Sequence, residues 1–137
     1  MDDVIINKIA VIERCISRIK EEYMGFEQDF LDNYTKQDSV IINIERAIQA
    51  ALDIAMHIIR INKFGLPQNS RDIFALLVKK KVISQPTGNQ MQKMVGFRNI
   101  AVHDYQKLNM DIVISIIDTR LTYFTDFSTQ ILRYEKA

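Results

Sequence analysis

The sequence predicts an all-α protein, an antiparallel bundle of about five helices. Apolar residues recur at the three- and four-residue spacing of helical faces along most of the 137 residues. The chain has only four glycines and two prolines. Gly65, Pro67, Pro86 and Gly88 fall between or at the ends of the periodic segments, where turns are expected. A chain of this length fits one hydrophobic core, so residues 1–137 are expected to form a single domain.

The first two predicted helices are long, and each has a continuous apolar face. Helix one begins after a cap at Asp2 or Asp3, and helix two runs from a cap at Asp38 or Ser39 to about Lys63. The apolar face of helix one consists of Ile5, Ile9, Ile12, Ile16, Ile19, Tyr23 and Phe26. The apolar face of helix two consists of Ile41, Ile44, Ile48, Leu52, Ala55 and Ile59.

Three shorter helices are predicted in the second half of the chain. Helix three follows Ser70 and ends at three consecutive lysines, which suit the negative end of the helix dipole. Helix four begins after Pro86 and ends near His103, and helix five starts near Asn109. The apolar face of helix five consists of Ile112, Ile116, Ile117, Leu121, Phe124, Phe127 and Ile131.

Composition excludes several classes of function. The net charge is only +1, so any nucleic-acid site must be a local patch rather than a global positive field. The single cysteine, Cys15, excludes an intramolecular disulfide, and one cysteine with two histidines offers no zinc-ligand spacing. The acidic start does not resemble a signal peptide, and no apolar run is long enough to span a membrane. We therefore expect a cytoplasmic protein that binds no metal or cofactor.

The most informative segment is residues 98–105, RNIAVHDY, called the RNIAVHDY motif below. With only two histidines and five tyrosines in the chain, this spacing of Arg98, His103 and Tyr105 would arise by chance in less than about one such chain in a hundred. A guanidinium can bind a phosphate through two hydrogen bonds, and an imidazole can transfer protons near neutral pH. A structural alternative is a helix end at which His103 offsets the dipole and Asp104 begins a loop.

The fourth predicted helix has no obvious solvent-facing side. Arg98 shares an apolar stripe with neighbouring methionines and valines, where a charge needs a partner. Asn99 and His103 lie one turn apart on another stripe, together with Gly96, which costs about 1 kcal/mol in a helix interior and suggests a close approach there. This pattern predicts packing on several sides and fits two copies of the helix that meet across a two-fold axis.

The RNIAVHDY motif resembles the signature of the HEPN superfamily of small helical ribonucleases: arginine and a polar residue, then histidine and tyrosine at fixed spacing. Residues 37–40, 46–57, 70–72 and 94–99 are similar to the HepT branch, in order and over most of the chain. Members of this branch are toxins of toxin–antitoxin pairs, and their partners are minimal nucleotidyltransferases of the MntA type. The resemblance implies a homodimer in which two motifs line one groove.

The resemblance also implies a function, namely the toxin of a type VII-like toxin–antitoxin system. It implies a metal-independent RNA endonuclease that uses the ribose 2′-hydroxyl as nucleophile, with tRNA among the candidate substrates. His103 would act as general acid or base, Arg98 would bind the scissile phosphate, and Asn99 would orient either group. Asp104 and Tyr105 would support the site at the helix exit, and the antitoxin would adenylylate Tyr105.

Several readings remain open at this point. Arg46, Asp53 and His57 lie on the polar face of helix two, with Asp53 placed to orient or charge His57. This face is either simply solvated, or it lines the groove of the site, or it binds the antitoxin. The chain could instead be a non-catalytic nucleotide- or substrate-binding subunit beside a nucleotidyltransferase. A third reading is a helical dimerisation protein in which Arg98 and His103 contribute only to stability.

Overall fold

The computed structural model describes residues 2–136, which form seven α-helices and a 3₁₀ turn without any strand. The elements are α1 (Asp3–Tyr23), α2 (Glu27–Phe30), α3 (Tyr34–Ile61), α4 (Ser70–Lys79), α5 (Gln85–His103), the 3₁₀ turn Tyr105–Lys107, α6 (Met110–Thr119) and α7 (Leu121–Lys136). The predicted all-α class is confirmed. Two helices more than expected are present, because α2 is an extra turn and the last predicted helix is divided.

Helices α1 and α3 pack against each other in antiparallel orientation. Their direction follows from two side-chain pairs: Lys8 contacts Asp53 at 2.9 Å near one end, and Lys36 lies 3.9 Å from Glu22 near the other. All the isoleucines predicted for the apolar face of α1 are buried, and α3 is the most extensively buried helix of the chain. Burial of an isoleucine contributes about 1.5–3 kcal/mol, so this pair supplies much of the core.

The remaining helices cover the other sides of α3. Helix α4 packs on α5, and α5 packs on both α3 and α7. Aromatic rings fill the spaces between these elements: Phe74 of α4 meets Phe127 of α7 edge-to-face, with ring centroids 5.8 Å apart. Tyr23 and Phe30 form a similar pair at 5.1 Å where α1 turns into α2. Within residues 2–136, no helix is long and apolar enough to cross a membrane.

Two predicted boundaries in the first half of the chain are wrong. Helix α3 begins at Tyr34 rather than at Asp38 or Ser39, because the side chain of Asn33 accepts a hydrogen bond from the Lys36 amide and caps the helix earlier. Phe26 lies outside the face of α1 and is 47% exposed. The reason is Gly25, whose φ of +84° is a left-handed conformation that ends the helix before Phe26 is reached.

The last predicted helix is divided at Arg120, whose φ of −120° and ψ of 0° depart from helical values. Just before it, the hydroxyl of Thr119 donates to the carbonyl of Ser115 at 2.7 Å, a local bond that competes with regular helix geometry. Of the apolar face expected here, Ile112 is 46% exposed, whereas the residues from Ile116 onwards are buried. The apolar spacing therefore continues from α6 into α7 and gives no sign of the break at Arg120.

Candidate functional site

Helix α5 is fixed at its N-terminus by hydrogen bonds to α7. The Ser84 side chain accepts a bond from the Thr87 amide at 3.3 Å and so caps the helix, and Pro86 occupies its first turn. From α7, the Gln130 side chain accepts from the Ser84 amide and donates to the Thr87 hydroxyl, both at 2.7 Å. These contacts set the direction of α5, and its other end holds the RNIAVHDY motif.

Arg98 is half-buried on α5, and its partner is a neutral amide. Its Nη2 donates to Gln49 Oε1 at 2.8 Å, and its Nη1 lies 3.4 Å from Asn99 Oδ1. Within residues 2–136, no carboxylate forms an ion pair with this guanidinium. Burial raises the pKa of nearby Glu45, while the charges of Arg98 and Arg46 lower it in part. Arg98 is thus oriented by α3 but keeps its charge available to an anion.

His103 is the last residue of α5 and is exposed, as is Asn99 one turn earlier. The helix ends because Asp104 leaves helical geometry, with φ −151° and ψ 54°, while its amide still donates to the Ile100 carbonyl at 2.8 Å. The Asp104 carboxylate lies 3.2 Å from Lys107 Nζ across the 3₁₀ turn. The imidazole is therefore accessible at the open end of the helix.

Tyr105 begins the 3₁₀ turn, and its phenol donates a hydrogen bond to Asp38 Oδ1 of α3. Partial burial, this hydrogen bond and the charges of Asp38 and Glu45 raise the pKa of Tyr105 to about 12. The ring is nevertheless 44% exposed, beside a small cavity of about 280 Å³ that these acidic residues help to line. At neutral pH the phenol is protonated and open to solvent on one side.

The two ends of the motif are therefore both supported by α3. Arg98 contacts Gln49, and Tyr105 contacts Asp38 three turns earlier on the same helix. Glu45 lies between these contacts, and its charge interacts with both Arg98 and Tyr105. The sequence analysis named Asp38 only as a candidate helix cap and did not identify Gln49 as a partner of Arg98. Separations of 49 and 67 residues leave no spacing signal that would identify either partner.

The three candidate residues on the polar face of α3, Arg46, Asp53 and His57, have different surroundings and do not form one cluster. Asp53 accepts from Lys8 Nζ and from Gln49 Nε2, both at 2.9 Å, so it connects to Arg98 through Gln49. His57 instead pairs with Asp2 at 2.6 Å, and this bond lowers the pKa of Asp2. The expectation that Asp53 orients His57 is thus wrong, because the N-terminus of α1 reaches His57 and supplies another carboxylate. Arg46 is exposed and lines a groove between α1 and α3.

The expectation that α5 has no solvent-facing side is wrong for the single chain. Ile100 is 46% and Val102 50% exposed, beside the exposed Asn99 and His103. A Cβ atom added to Gly96 would meet nothing within 4 Å, so no part of the described chain approaches it closely. Any close approach to this face must come from another molecule.

These features define a class of protein. The described chain is a small helical bundle with a complete RNIAVHDY motif at the C-terminal end of one helix, as in the HEPN class. The family described as ribonuclease HepT-like matches residues 12–131. The chain therefore belongs to the ribonuclease HepT-like family, which confirms the resemblance drawn from the motif.

Known relatives agree with this family over nearly the whole chain. The mRNA nuclease HepT of Shewanella oneidensis is 51% identical over 127 residues, 93% of this chain and 95% of that protein. The tRNA nuclease HepT of Aphanizomenon flos-aquae is 27% identical over 135 residues, 96% of this chain and 89% of that protein. A solved structure of the tri-AMPylated S. oneidensis HEPN toxin in complex with its MNT antitoxin superimposes with a TM-score of 0.92 at 50% identity, covering 97% of this chain and 99% of that one.

Proposed function

We propose that this protein is the toxin of a type VII-like toxin–antitoxin system and cleaves RNA without a metal ion. The observation that carries the proposal is the state of Arg98, which a neutral amide orients at 2.8 Å. No carboxylate of residues 2–136 forms an ion pair with it, and it lies on the same helix end as an exposed His103. A cation and an imidazole supply the charge stabilisation and the proton transfer that phosphodiester cleavage needs. The similarity to an mRNA nuclease of 51% identity supports the same activity.

In the proposed reaction the 2′-hydroxyl attacks the adjacent phosphorus, and the bond to the 5′-oxygen breaks. His103 transfers a proton, either from the attacking hydroxyl or to the leaving oxygen, which contributes about 10²–10⁴ in rate. Arg98 binds the non-bridging oxygens and stabilises their growing charge. Asn99, whose Oδ1 already lies 3.4 Å from Arg98 Nη1, orients the pair. DNA lacks the 2′-hydroxyl and is not a substrate of this mechanism.

The active form is proposed to be a homodimer joined through α5. Ile100 and Val102 are apolar side chains that are half-exposed beside Asn99 and His103. Association through this face buries their apolar surface and leaves the open side of Gly96 free for close approach of the partner. A two-fold axis there brings two copies of the motif to one groove.

Neutralisation is proposed to proceed by adenylylation of Tyr105 by an MntA-like nucleotidyltransferase. Tyr105 is 44% exposed and lies beside an open cavity, so a partner protein can approach its side chain. Each added AMP introduces a negative charge that competes with RNA for Arg98 and obstructs the groove. The tri-AMPylated state of the S. oneidensis toxin supports this form of control. Mass spectrometry after coexpression with the partner is expected to find AMP on Tyr105 and none on a Tyr105→Phe variant.

The nuclease proposal is tested by replacing each of the two histidines. His103→Ala is expected to lower the rate of RNA cleavage about 10²–10⁴-fold, with or without EDTA in the assay. His57→Ala is the matched control, because its imidazole pairs with Asp2 away from the motif, and it should cleave at the wild-type rate. Cleavage by His103→Ala at the wild-type rate would contradict the proposal. RNA binding by the wild type without cleavage would instead support the binding-subunit reading.

A further inference from the structure

A groove of about 570 Å³ between α1 and α3 is lined mainly by positively charged side chains, although the whole chain has almost no net charge. Its charged lining residues are four cations, Lys8, Arg14, Arg18 and Arg46, and one anion, Asp53. The groove therefore has an excess of three positive charges, while the complete chain has a net charge of only +1. Such a local patch is the electrostatic feature expected of a site for a polyanion.

Two of the four cations are already neutralised and two are not. Lys8 pairs with Asp53 at 2.9 Å, and Arg18 pairs with Glu21 at 2.8 Å. Arg14 and Arg46 form no ion pair with any part of the described chain, and both are exposed. They project from opposite walls of the groove, Arg14 from α1 and Arg46 from α3. Each can bind a phosphate through two hydrogen bonds without first losing another partner.

The groove is connected to the proposed catalytic end of α5. Gln49 lines the groove and also accepts the hydrogen bond from Arg98. Arg46 lies three residues before Gln49 on α3, a rise of about 4.5 Å along the helix. A chain of phosphates that leaves Arg98 can therefore pass over Gln49 and reach Arg46 next, and then Arg14 on the opposite wall. Ile42, which is 42% exposed in the groove, offers an apolar surface to a ribose or base.

We propose that the groove between α1 and α3 binds the backbone of the RNA strand that flanks the scissile phosphate, with Arg14 and Arg46 as the phosphate-binding residues. The inference rests on the proposed nuclease function and extends it to how the substrate is bound. An acidic surface of a protein partner would also be attracted to this groove. The continuity with Arg98 through Gln49 favours RNA, because a single strand then occupies both places.

The test measures RNA binding in a His103→Ala background, so that the strand stays intact. The probe is a single-stranded RNA oligonucleotide with a fluorescent end, titrated at several salt concentrations. The double variant Arg14→Gln, Arg46→Gln is expected to bind at least about tenfold more weakly and to reduce the salt slope by about 1.4, since each phosphate contact on a single strand contributes about 0.7. Oligonucleotides truncated on one side of the cut site should lose this sensitivity.

Arg60→Gln is the matched control, because Arg60 is exposed on the same helix but does not line the groove. Its RNA affinity and salt slope should equal those of the background variant. Unchanged affinity and slope in the double variant would overturn the groove proposal even if the wild type cleaves RNA. The proposal is also wrong if the double variant binds RNA normally and loses only its affinity for the antitoxin. Failure of the nuclease function itself would appear separately, as absence of wild-type cleavage.

The contact between Tyr105 and Asp38 supports a second inference, about the modification step. The phenol donates to a carboxylate at the mouth of a small cavity, so its proton already points at an acceptor. Any phenol is protonated at neutral pH, so the Tyr105 oxygen has to lose its proton as it reacts. Asp38 is the side chain in contact with it.

We infer that Asp38 is the general base for adenylylation of Tyr105 by ATP, which rests on the proposed neutralisation. The phenolic oxygen forms a bond to the α-phosphorus, the bond from that phosphorus to the bridging oxygen of pyrophosphate breaks, and the proton moves to Asp38. The toxin thus supplies a catalytic group to its own modification. The ATP and its metal ion are bound by the nucleotidyltransferase partner.

The test is the initial rate of AMP addition to Tyr105, followed by intact mass with purified nucleotidyltransferase and MgATP. Asp38→Asn is expected to lower this rate by about 10²-fold or more and to make it rise with pH, as hydroxide replaces the lost base. Glu45→Gln is the control, because Glu45 lines the same cavity without a hydrogen bond to the phenol. Modification of Asp38→Asn at the wild-type rate and pH profile would overturn the inference. An unmodified wild type would overturn the proposed neutralisation as well.

Discussion

At the scale of single residues, Gln49 determines how Arg98 presents its charge. Its carbonyl oxygen accepts from Arg98 and its amide donates to Asp53, so a neutral group separates the guanidinium from the nearest carboxylate of this network. A direct ion pair would have oriented Arg98 equally well but would have neutralised it. The amide therefore orients the Arg98 guanidinium without neutralising its charge, which is compatible with its proposed role in binding phosphate.

This role predicts the effect of a one-atom change. Gln49→Glu places a carboxylate against Arg98 and competes with the RNA phosphate by about 1 kcal/mol, which is about a fivefold loss of affinity. The loss should be measurable as weaker RNA binding in the His103→Ala background. Thermal stability should be unchanged or slightly lowered, because the new carboxylate replaces the amide that donates to Asp53 and lies beside that acidic side chain. Gln49→Met, which keeps the length without adding charge, is the control. Equal affinities for the Glu variant and the unsubstituted protein would contradict this role.

The environment of Tyr105 predicts a pH dependence of stability. Its pKa of about 12 in the folded state lies above the ordinary value of 10, so the folded chain binds this proton more tightly than the unfolded chain. The resulting stabilisation is fully present below pH 10 and is lost as pH rises from 10 towards 12. Chemical denaturation across this range should show a steeper loss of the free energy of unfolding for the wild type than for Tyr105→Phe.

Asp38→Asn should lower the pKa of Tyr105 towards 10, as measured by NMR titration of the tyrosine ring carbons.

At the scale of elements, the N-terminal end of α5 is fixed by close packing as well as by hydrogen bonds. A Cβ atom at Gly88 would lie 2.3 Å from Val78 Cγ2 of α4, so only glycine allows the two helices to approach this closely. The hydrogen bonds from Gln130 connect the same turn to α7. The position and direction of the motif therefore depend on contacts about three turns before its first residue, Arg98.

Gly88→Ala is expected to destabilise the fold by about 1–3 kcal/mol, since the branched valine cannot move its methyl group away freely. The double variant Gly88→Ala, Val78→Ala should recover part of this loss, because the smaller side chain removes the clash. Urea denaturation of the two single variants and the double variant measures the coupling. Additive losses in the double variant would show that the contact is not the cause.

Helix limits could be predicted where the sequence provides a local signal. The predicted end of α5 near His103 is confirmed. Its start lies at Gln85, just before Pro86 rather than after it, because the Ser84 side chain caps the helix and a proline is tolerated in the first turn. The start of α3 could not be predicted, because the turn from Tyr34 to Gln37 is polar and the apolar period begins only later. The break at Arg120 was also missed, since the burial pattern runs through both α6 and α7.

At the scale of the whole molecule, the RNIAVHDY motif predicted the family. It also predicted that Arg98, His103 and Tyr105 lie together at the C-terminal end of a helix. The partners that orient them could not be predicted, because Asp38 and Gln49 reach the motif only through the packing of α3 on α5. The groove between α1 and α3 could not be predicted from the sequence either. Its cations are spread over 39 positions, from Lys8 to Arg46, in a chain of almost no net charge.

The proposed dimer gives a prediction at this scale. Val102→Asp puts a charge on the exposed apolar face of α5 and should shift the protein to a monomer in sedimentation equilibrium, with a loss of RNA cleavage. Helical content should not change, because Val102 is already 50% exposed in the single chain. The equivalent change at exposed Ile6 of α1 is the control. A Val102→Asp variant that remains dimeric would place the subunit contact elsewhere.

The sulfur atom beneath the groove has a practical consequence. Cys15 is 3% exposed, and burial raises the pKa of its thiol, so it reacts slowly with maleimides. A cysteine introduced on the surface would therefore accept a fluorophore selectively, with the native thiol left in place. Dyes attached in this way to the two subunits of the proposed dimer, or to this chain and its proposed antitoxin, would report distances within the assembly without any change to the core.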